Sequence, residues 1–203
     1  RYVKDYLRCV AAVDDGIGRI LETLDKLDLS ENSLVIYSSD QGFYLGEHGW
    51  YDKRWIYEES LKMPLVMRWP EKIKPGTIVK KLTQNIDFAP FFLEAAEAEV
   101  PQEIQGMSLM PLFKKPNPKW RNAIYYHYYE AGGHGVPVHY GIRDERYKLM
   151  HFPKTDEWNL VDLKEDPQEM KSFHDDPGYK DTLNQMRAKL SDLQEKYGLE
   201  ISL

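Results

Sequence analysis

The 203-residue sequence predicts an α/β protein with a small antiparallel sheet and a terminal helix at its C-terminal end. Three observations predict this class. Apolar residues recur at helical spacing through the first thirty positions, a β-branched run follows at 34–38, and several short aromatic runs lie between 123 and 161. A long helix before a buried strand is typical of an αβ unit, whereas consecutive short strands separated by turns are typical of an antiparallel sheet.

The first thirty residues predict one long amphipathic helix. Its apolar positions form a single stripe that needs a sheet to lie on: Val3, Tyr6, Leu7, Val10, Val13, Ile17, Ile20, Leu21, Leu24 and Leu27. Cys9 is the only cysteine, so no internal disulfide forms, and its place in the helix predicts a buried, inert thiol. Residues 29–33 break the helix before the next element.

Residues 34–38 predict a buried strand of a parallel sheet, and the polar residues after it predict a ligand site. Asp40 and Gln41 supply a carboxylate and an amide oxygen, hard donors that suit calcium or magnesium rather than zinc. The alternative is that Asp40 starts a turn in which Gly42 supplies a positive φ. This stretch alone leaves both interpretations open.

The middle of the chain predicts a helix, a strand and two further helices. Residues 54–61 predict a short helix, and residues 64–70 predict a second strand closed by a proline. Residues 86–98 predict a helix with Asp87 in its first turn, and Ser108 fits the N-cap of another short helix.

A polar, proline-rich connector at 114–119 divides the chain into two expected domains, residues 1–115 and residues 120–203. Beyond the connector, short aromatic runs predict an antiparallel sheet with strands at 123–130, 138–143, 147–152 and 158–161. The last apolar pattern predicts a terminal helix that covers one face of this sheet: Leu183, Met186, Leu190, Leu193 and Tyr197.

Composition restricts the classes of partner. The chain is 42% hydrophobic and 30% charged, enough for one sizeable core and a small second layer. No apolar run approaches the roughly 20 residues that span a bilayer, so we expect no membrane partner. The net charge of −6 argues against a nucleic-acid partner, because a broad Lys/Arg excess is lacking.

Histidine is concentrated in the C-terminal part, at positions 127, 134, 139, 151 and 174. Strand alternation sends His127 to the face opposite Tyr126 and Tyr128. Each histidine alone fits a satisfied polar group in a half-buried aromatic sheet. Together, the aromatic faces and the donors of His134, His139 and Arg143 predict a platform for a sugar ring and its charged groups.

The order of three motifs carries a family resemblance. Ser39-Asp40-Gln41-Gly42, Gly46-Glu47-His48-Gly49 and Lys53 resemble the sulfatase family of the alkaline-phosphatase-like superfamily. The resemblance continues through nearly the whole chain. It implies part of an α/β sheet sandwiched by helices, followed by a small C-terminal antiparallel sheet with a terminal helix.

The resemblance also implies roles for individual residues. Asp40 and Gln41 match metal ligands, with Ca²⁺ expected and Mg²⁺ as the alternative, and Lys53 matches the catalytic lysine that contacts sulfate. Sulfatases that remove 6-sulfate from N-acetylglucosamine have a similar stretch around His139 and Arg143. The residues expected to bind a sulfated saccharide are therefore His48, His127, His134, His139 and Arg143.

The nucleophile implied by the resemblance is missing from this sequence. Family members use a formylglycine made within a Cys/Ser-x-Pro-x-Arg motif, whereas Cys9 is followed by Val10 and Ala11, and no serine fits. We therefore expect the C-terminal portion of a sulfatase, inactive alone, whose partner is the N-terminal half of the same protein. The resemblance implies an exported location: periplasmic, secreted or lysosomal.

Two other functions stay open. A phosphodiesterase or phosphonate hydrolase of the same superfamily would use the same metal and lysine on phosphorus, although Gln41 in place of histidine argues mildly against it. A non-catalytic fragment would bind sulfated glycan through the aromatic part without cleaving it.

Overall fold

The computed structural model describes residues 1–114, 118–130 and 133–199. Helix α1 (Tyr2–Lys26) confirms the predicted first helix. It buries none of its residues completely, most of its apolar stripe is exposed, and Cys9 is exposed too. The expected burial of the thiol is therefore wrong, because no sheet covers this helix in the described structure.

The first sheet has two strands, β1 (Val35–Ser38) and β2 (Leu65–Arg68). The strands are antiparallel, with Val35 opposite Arg68 and Ser38 opposite Leu65. The expectation of a parallel sheet is thus wrong for this pair. β1 is half-buried rather than buried, because only one face of the pair is covered. Between the strands lies α2 (Glu58–Leu61), which is shorter than the predicted helix.

Two helices cover one face of the first sheet. They are α3 (Phe88–Ala95), entered through a 3₁₀ turn, and α4 (Met110–Lys114). Their apolar side chains form a core with the inner side chains of both strands: Phe91, Leu109, Met110, Leu112, Leu34, Ile36, Leu65 and Met67. Ser108 Oγ accepts from the Met110 N–H (3.2 Å), in keeping with its predicted capping role.

Asp87 joins this region to the start of the second sheet. It is wholly buried, accepts from the N–H groups of Gln84 (2.8 Å) and Met107 (2.9 Å), and forms a bidentate ion pair with Arg121. A buried carboxylate is tolerated here because both of its oxygens have charged or N–H partners.

The second sheet confirms the prediction of an aromatic antiparallel meander. Its strands, in the order β3-β4-β5-β6, are β3 (Ala123–Tyr128), β4 (His139–Asp144), β5 (Tyr147–Phe152) and β6 (Glu157–Asp162). Helix α5 (Lys180–Tyr197) covers one face, where Leu183, Met186 and Leu190 join the sheet core. The terminal amphipathic helix therefore lies as its pattern predicts.

The other face of this sheet packs against the segment before β2. Ile56 is wholly buried against Met150, Phe152 and Val161, with Trp55 and Tyr57 around it. Gly141 allows this approach, since a Cβ there would meet the Leu149 carbonyl oxygen and, at 2.8 Å, Ile56 Cδ1. This contact brings the Lys53 region to the second sheet.

The expected division at 115 and 120 stays a prediction. Residues 115–117 of the connector lie outside the described ranges, and so do residues 131 and 132 of the glycine-rich loop. Across the three described ranges, no helix has both the length and the apolar character needed to span a bilayer.

Candidate functional site

The structure brings Gln41 and Lys53 into contact at the end of β1. We assign the oxygen and nitrogen of the Gln41 amide from the groups they face. In this assignment Nε2 donates to the Lys53 carbonyl oxygen (3.0 Å) and Oε1 accepts from Lys53 Nζ (3.2 Å). Asp40 is exposed beside them, and its carbonyl oxygen accepts from Asn85 Nδ2 (2.7 Å). The Gln41 amide, the Lys53 ammonium group and the adjacent residue Asp40, all predicted from the sequence, therefore lie together at the end of β1.

The backbone at this place is fixed by α2. The Gly42 N–H donates to the Ser60 carbonyl oxygen (2.7 Å), and Ser60 Oγ donates to the Lys53 carbonyl oxygen (2.6 Å). A Cβ on Gly42 would overlap the Glu59 carbonyl oxygen, so glycine is required for this close approach. Ser60 thus holds both sides of the Gln41–Lys53 contact.

A charged pair flanks Lys53 that sequence reasoning did not single out. Asp52 accepts from the N–H groups of Lys53 (2.6 Å) and Arg54 (2.7 Å), and its second oxygen accepts from Arg54 Nη1 (2.7 Å). Burial alone would raise the pKa of Asp52, but these N–H groups and the guanidinium hold it below its usual range. The consecutive charged residues Asp52, Lys53 and Arg54 were the sequence signal from which this pair could have been predicted.

His48 lies in an aromatic cluster near these residues. Its ring stacks on Tyr57 (4.4 Å between centroids) and lies near Trp50 (5.8 Å), and its Nε2 is 3.5 Å from Glu59 Oε2. His48 also has a positive φ of 53°, an uncommon conformation for a residue with a Cβ. The contacts around it are those of a packed, partly buried residue.

His139 is wholly buried among aromatic rings, with Trp55 and Phe152 stacked at 5.4 and 5.5 Å. Nδ1 lies 2.8 Å from the Pro137 carbonyl oxygen and is therefore protonated, which leaves Nε2 as an acceptor. That atom has no hydrogen-bond partner within the described residues. Burial lowers the pKa of His139, so the ring is neutral at pH 7.

The remaining predicted histidines lie elsewhere. His127 stacks on Tyr129 (3.7 Å) and contacts the Tyr125 hydroxyl (3.0 Å) on the α5 side of the sheet, away from His139. Burial lowers the pKa of His127. His134 is exposed, with Nε2 3.8 Å from Glu130 Oε2. The structure therefore splits the expected sugar platform between the two faces of the sheet.

Arg143 lies in an ion network. Its Nε and Nη2 donate to the two oxygens of Glu58 (3.2 and 3.1 Å), and Lys148 Nζ is 3.1 Å from Glu58 Oε1. Arg143 also borders a cleft of about 340 Å³ that Ser38 and Asn85 line. The ion pair gives Arg143 a structural partner, and its role toward substrate stays a prediction.

The donor set suits a hard cation but is incomplete. Asp40 and Gln41 offer a carboxylate and an amide oxygen, whereas Ca²⁺ takes 6–8 oxygen ligands. In the portion of the chain that the structure covers, no three His, Cys, Asp or Glu side chains form a group that could hold a metal. A cation held here would need further oxygen ligands, such as carbonyl groups, water or the substrate.

Solved structures define the class of protein. A structure of BT4656 in complex with its substrate D-glucosamine-2-N,6-O-disulfate matches with a TM-score of 0.94 and 45% identity, covering 97% of this chain and 41% of that one. The phosphonate monoester hydrolase of Agrobacterium radiobacter matches with a TM-score of 0.81 and 26% identity, over 92% and 40%. The fold is that of alkaline-phosphatase-like sulfatases.

Sequence comparison then gives the family. The family described as N-sulphoglucosamine sulphohydrolase, C-terminal, matches residues 46–196, and the chain belongs to it. An N-acetylglucosamine-6-O-sulfatase of Bacteroides thetaiotaomicron is 46% identical over 202 residues, which is 97% of this chain and 36% of that protein. The chain thus spans about a third of the length of this curated relative, and the expected resemblance is confirmed.

Proposed function

We propose that the whole protein containing this chain is a sulfatase that hydrolyses a sulfate ester on a sulfated sugar, of the N-acetylglucosamine 6-sulfate type. The observation that carries the proposal is the meeting of Lys53 Nζ with Gln41 Oε1 (3.2 Å) beside the exposed carboxylate of Asp40. Its substrate class follows from the likeness to a named 6-O-sulfatase and to a structure that holds a disulfated glucosamine.

Lys53 supplies the positive charge that a sulfate group requires. The ammonium group is fixed through Gln41 and through its own backbone, so it binds the sulfate oxygens without first being reorganised. Such preorganised charge stabilises the transition state more than a freely moving lysine would. Asp52, which accepts from the Lys53 N–H, keeps the backbone of this residue in place.

Asp40 and Gln41 are the residues of this chain that would hold a divalent cation, Ca²⁺ by preference and Mg²⁺ as the alternative. Such an ion supplies positive charge that neutralises the sulfate oxygens. Asn85 orients this end of β1 by donating to the Asp40 carbonyl oxygen. We propose further that the nucleophile is the formylglycine used by the family, for which these 203 residues contain no Cys/Ser-x-Pro-x-Arg motif. By the same likeness to sulfatases, we propose an exported location.

Recognition of the sugar falls to the side of the second sheet that faces Lys53. The Asp52–Arg54 pair offers both an acceptor and donors for hydroxyl groups, and the wholly buried His139 holds the ring of Trp55 in place by stacking on it. Arg143 lies on the same side of the sheet. His127 and His134 would touch only a longer saccharide that extends beyond this side.

A substrate panel tests the proposal in the full-length protein. We expect sulfate release from N-acetylglucosamine 6-sulfate and slower release from an aryl sulfate, because the aryl ester lacks the hydroxyl groups. Faster turnover of a phosphonate monoester or a phosphodiester would overturn the sulfatase assignment. No turnover of any ester, together with calorimetric binding of the sulfated sugar, would favour a non-catalytic glycan-binding protein.

A further inference from the structure

A buried ion cluster connects the second sheet to α2. Lys148 is wholly buried, and its Nζ lies 2.6 Å from Glu169 Oε1 and 3.1 Å from Glu58 Oε1. Glu169 Oε2 accepts from the Glu58 N–H (2.6 Å), the first N–H of α2. Arg143 completes the cluster through its two bonds to Glu58. Two anions and two cations therefore fix the beginning of α2.

Helix α2 also binds the backbone on both sides of the candidate site, at Lys53 and at Gly42. Ser60, two residues after Glu58, binds the Lys53 carbonyl oxygen through its hydroxyl group and the Gly42 N–H through its carbonyl oxygen. Gly42 follows Gln41 directly, so a displacement of α2 would move Gln41 and Lys53 together. The chain of contacts from Glu169 to Lys53 consists of hydrogen bonds and ion pairs of 2.6 to 3.1 Å.

We propose that Glu169 and Ser60 are positioning residues, which fix Lys53 and Gln41 against the substrate from a distance through α2. The proposal rests on the sulfatase function proposed above. Neither residue touches the sulfate, and each acts through the backbone. A charge that is displaced by about 1 Å can cost on the order of 100-fold in rate, so small movements of α2 suffice.

Two variants of the full-length protein test this proposal. Ser60→Ala removes the bond to the Lys53 carbonyl oxygen. Glu169→Gln keeps the shape of the side chain, but its amide group cannot accept from both Lys148 and the Glu58 N–H. Asp162→Asn is the matched control, because Asp162 is also wholly buried in an ion pair, with Arg146 (2.6 Å), but its carboxylate has no hydrogen bond to α2 among the described residues.

We expect kcat for the sugar sulfate to fall about 10-fold in Ser60→Ala and in Glu169→Gln, with little change in KM, at temperatures where all variants are folded. The double variant should lose less than the product of the two single losses, because both act on one helix. The control should lose thermal stability and keep its kcat. Equal kcat in all variants, or a loss in the control as large as in the others, would overturn the proposal.

Amide hydrogen exchange separates this proposal from the sulfatase function. The Gly42 N–H should exchange about 10-fold faster in Glu169→Gln than in the parent, and no faster in Asp162→Asn, whether or not sulfate is released. Unchanged exchange at Gly42 would overturn the positioning role even in an active sulfatase. If Glu169→Gln fails to fold, the kcat of Ser60→Ala still decides the question.

Discussion

Adding one methyl group at Gly42 should damage both the stability and the site of this protein. In Gly42→Ala the new Cβ would overlap the Glu59 carbonyl oxygen and lie 2.9 Å from the Glu59 carbonyl carbon and 3.2 Å from the Ser60 carbonyl oxygen. All three atoms are backbone, so no side-chain rotation relieves the contact. The two backbone segments must move apart, which weakens the hydrogen bond from the Gly42 N–H to the Ser60 carbonyl oxygen.

The expected loss combines two contributions. Overpacking costs about 1–3 kcal/mol, and a weakened hydrogen bond adds about 1 kcal/mol, so the free energy of unfolding should fall by about 2–4 kcal/mol. Urea denaturation measures it. Gly18→Ala is the control, because Gly18 lies in α1, where a Cβ would meet no atom of the described residues within 4 Å, and the variant should gain about 1 kcal/mol from helix propensity. Equal unfolding midpoints for the two variants would refute the reasoning.

Three further predictions follow from buried charges and from His139. Asp87→Asn should lower the free energy of unfolding by about 3–5 kcal/mol, because it leaves the Arg121 guanidinium without its ion pair. Urea denaturation measures this loss, with the substitution of the exposed Asp175, Asp175→Asn, as the control. Equal losses of stability in the two variants would contradict the prediction. The bonds to Arg146 lower the pKa of Asp162 from 3.8 to about 2, against the raising effect of burial. The contribution of Asp162 to the free energy of unfolding is therefore complete above about pH 4 and is lost as the pH falls toward 2. The difference in melting temperature between the parent and Asp162→Asn should disappear over that range. A difference that stays constant would exclude this role. His139→Ala should raise KM for the sugar sulfate about 10-fold and leave an aryl sulfate unaffected, while equal losses on both substrates would mean structural damage.

Sequence reasoning succeeded where the signal is local. The aromatic runs after residue 120 and the helical spacing of Leu183, Met186 and Leu190 correspond to the meander and to α5. The spacing of apolar residues and the positions of turn residues are sufficient to predict the meander, because each of its strands pairs with the next one in the chain. The family motifs predicted that Gln41 and Lys53 belong to one site, because they carry long-range information that periodicity lacks, but they did not predict the direct contact between the two side chains.

Other features depended on long-range packing and could not be predicted. The pairing of β1 with an antiparallel neighbour depends on how the chain turns between residues 39 and 64, and no local pattern encodes it. The partnership of Lys148 with Glu58 and Glu169 joins residues far apart in sequence. His127 and His139 were grouped by composition, yet their opposite faces follow from the register of β3 against β4.

The most direct test of the sulfatase account is the rate of sulfate release from N-acetylglucosamine 6-sulfate by the full-length protein and by its Lys53→Ala variant. The account predicts turnover by the parent and a loss of about 100- to 1,000-fold in kcat/KM in the variant, the effect of removing one preorganised charge, with the melting temperature preserved. An unchanged kcat/KM in a folded Lys53→Ala protein would contradict it.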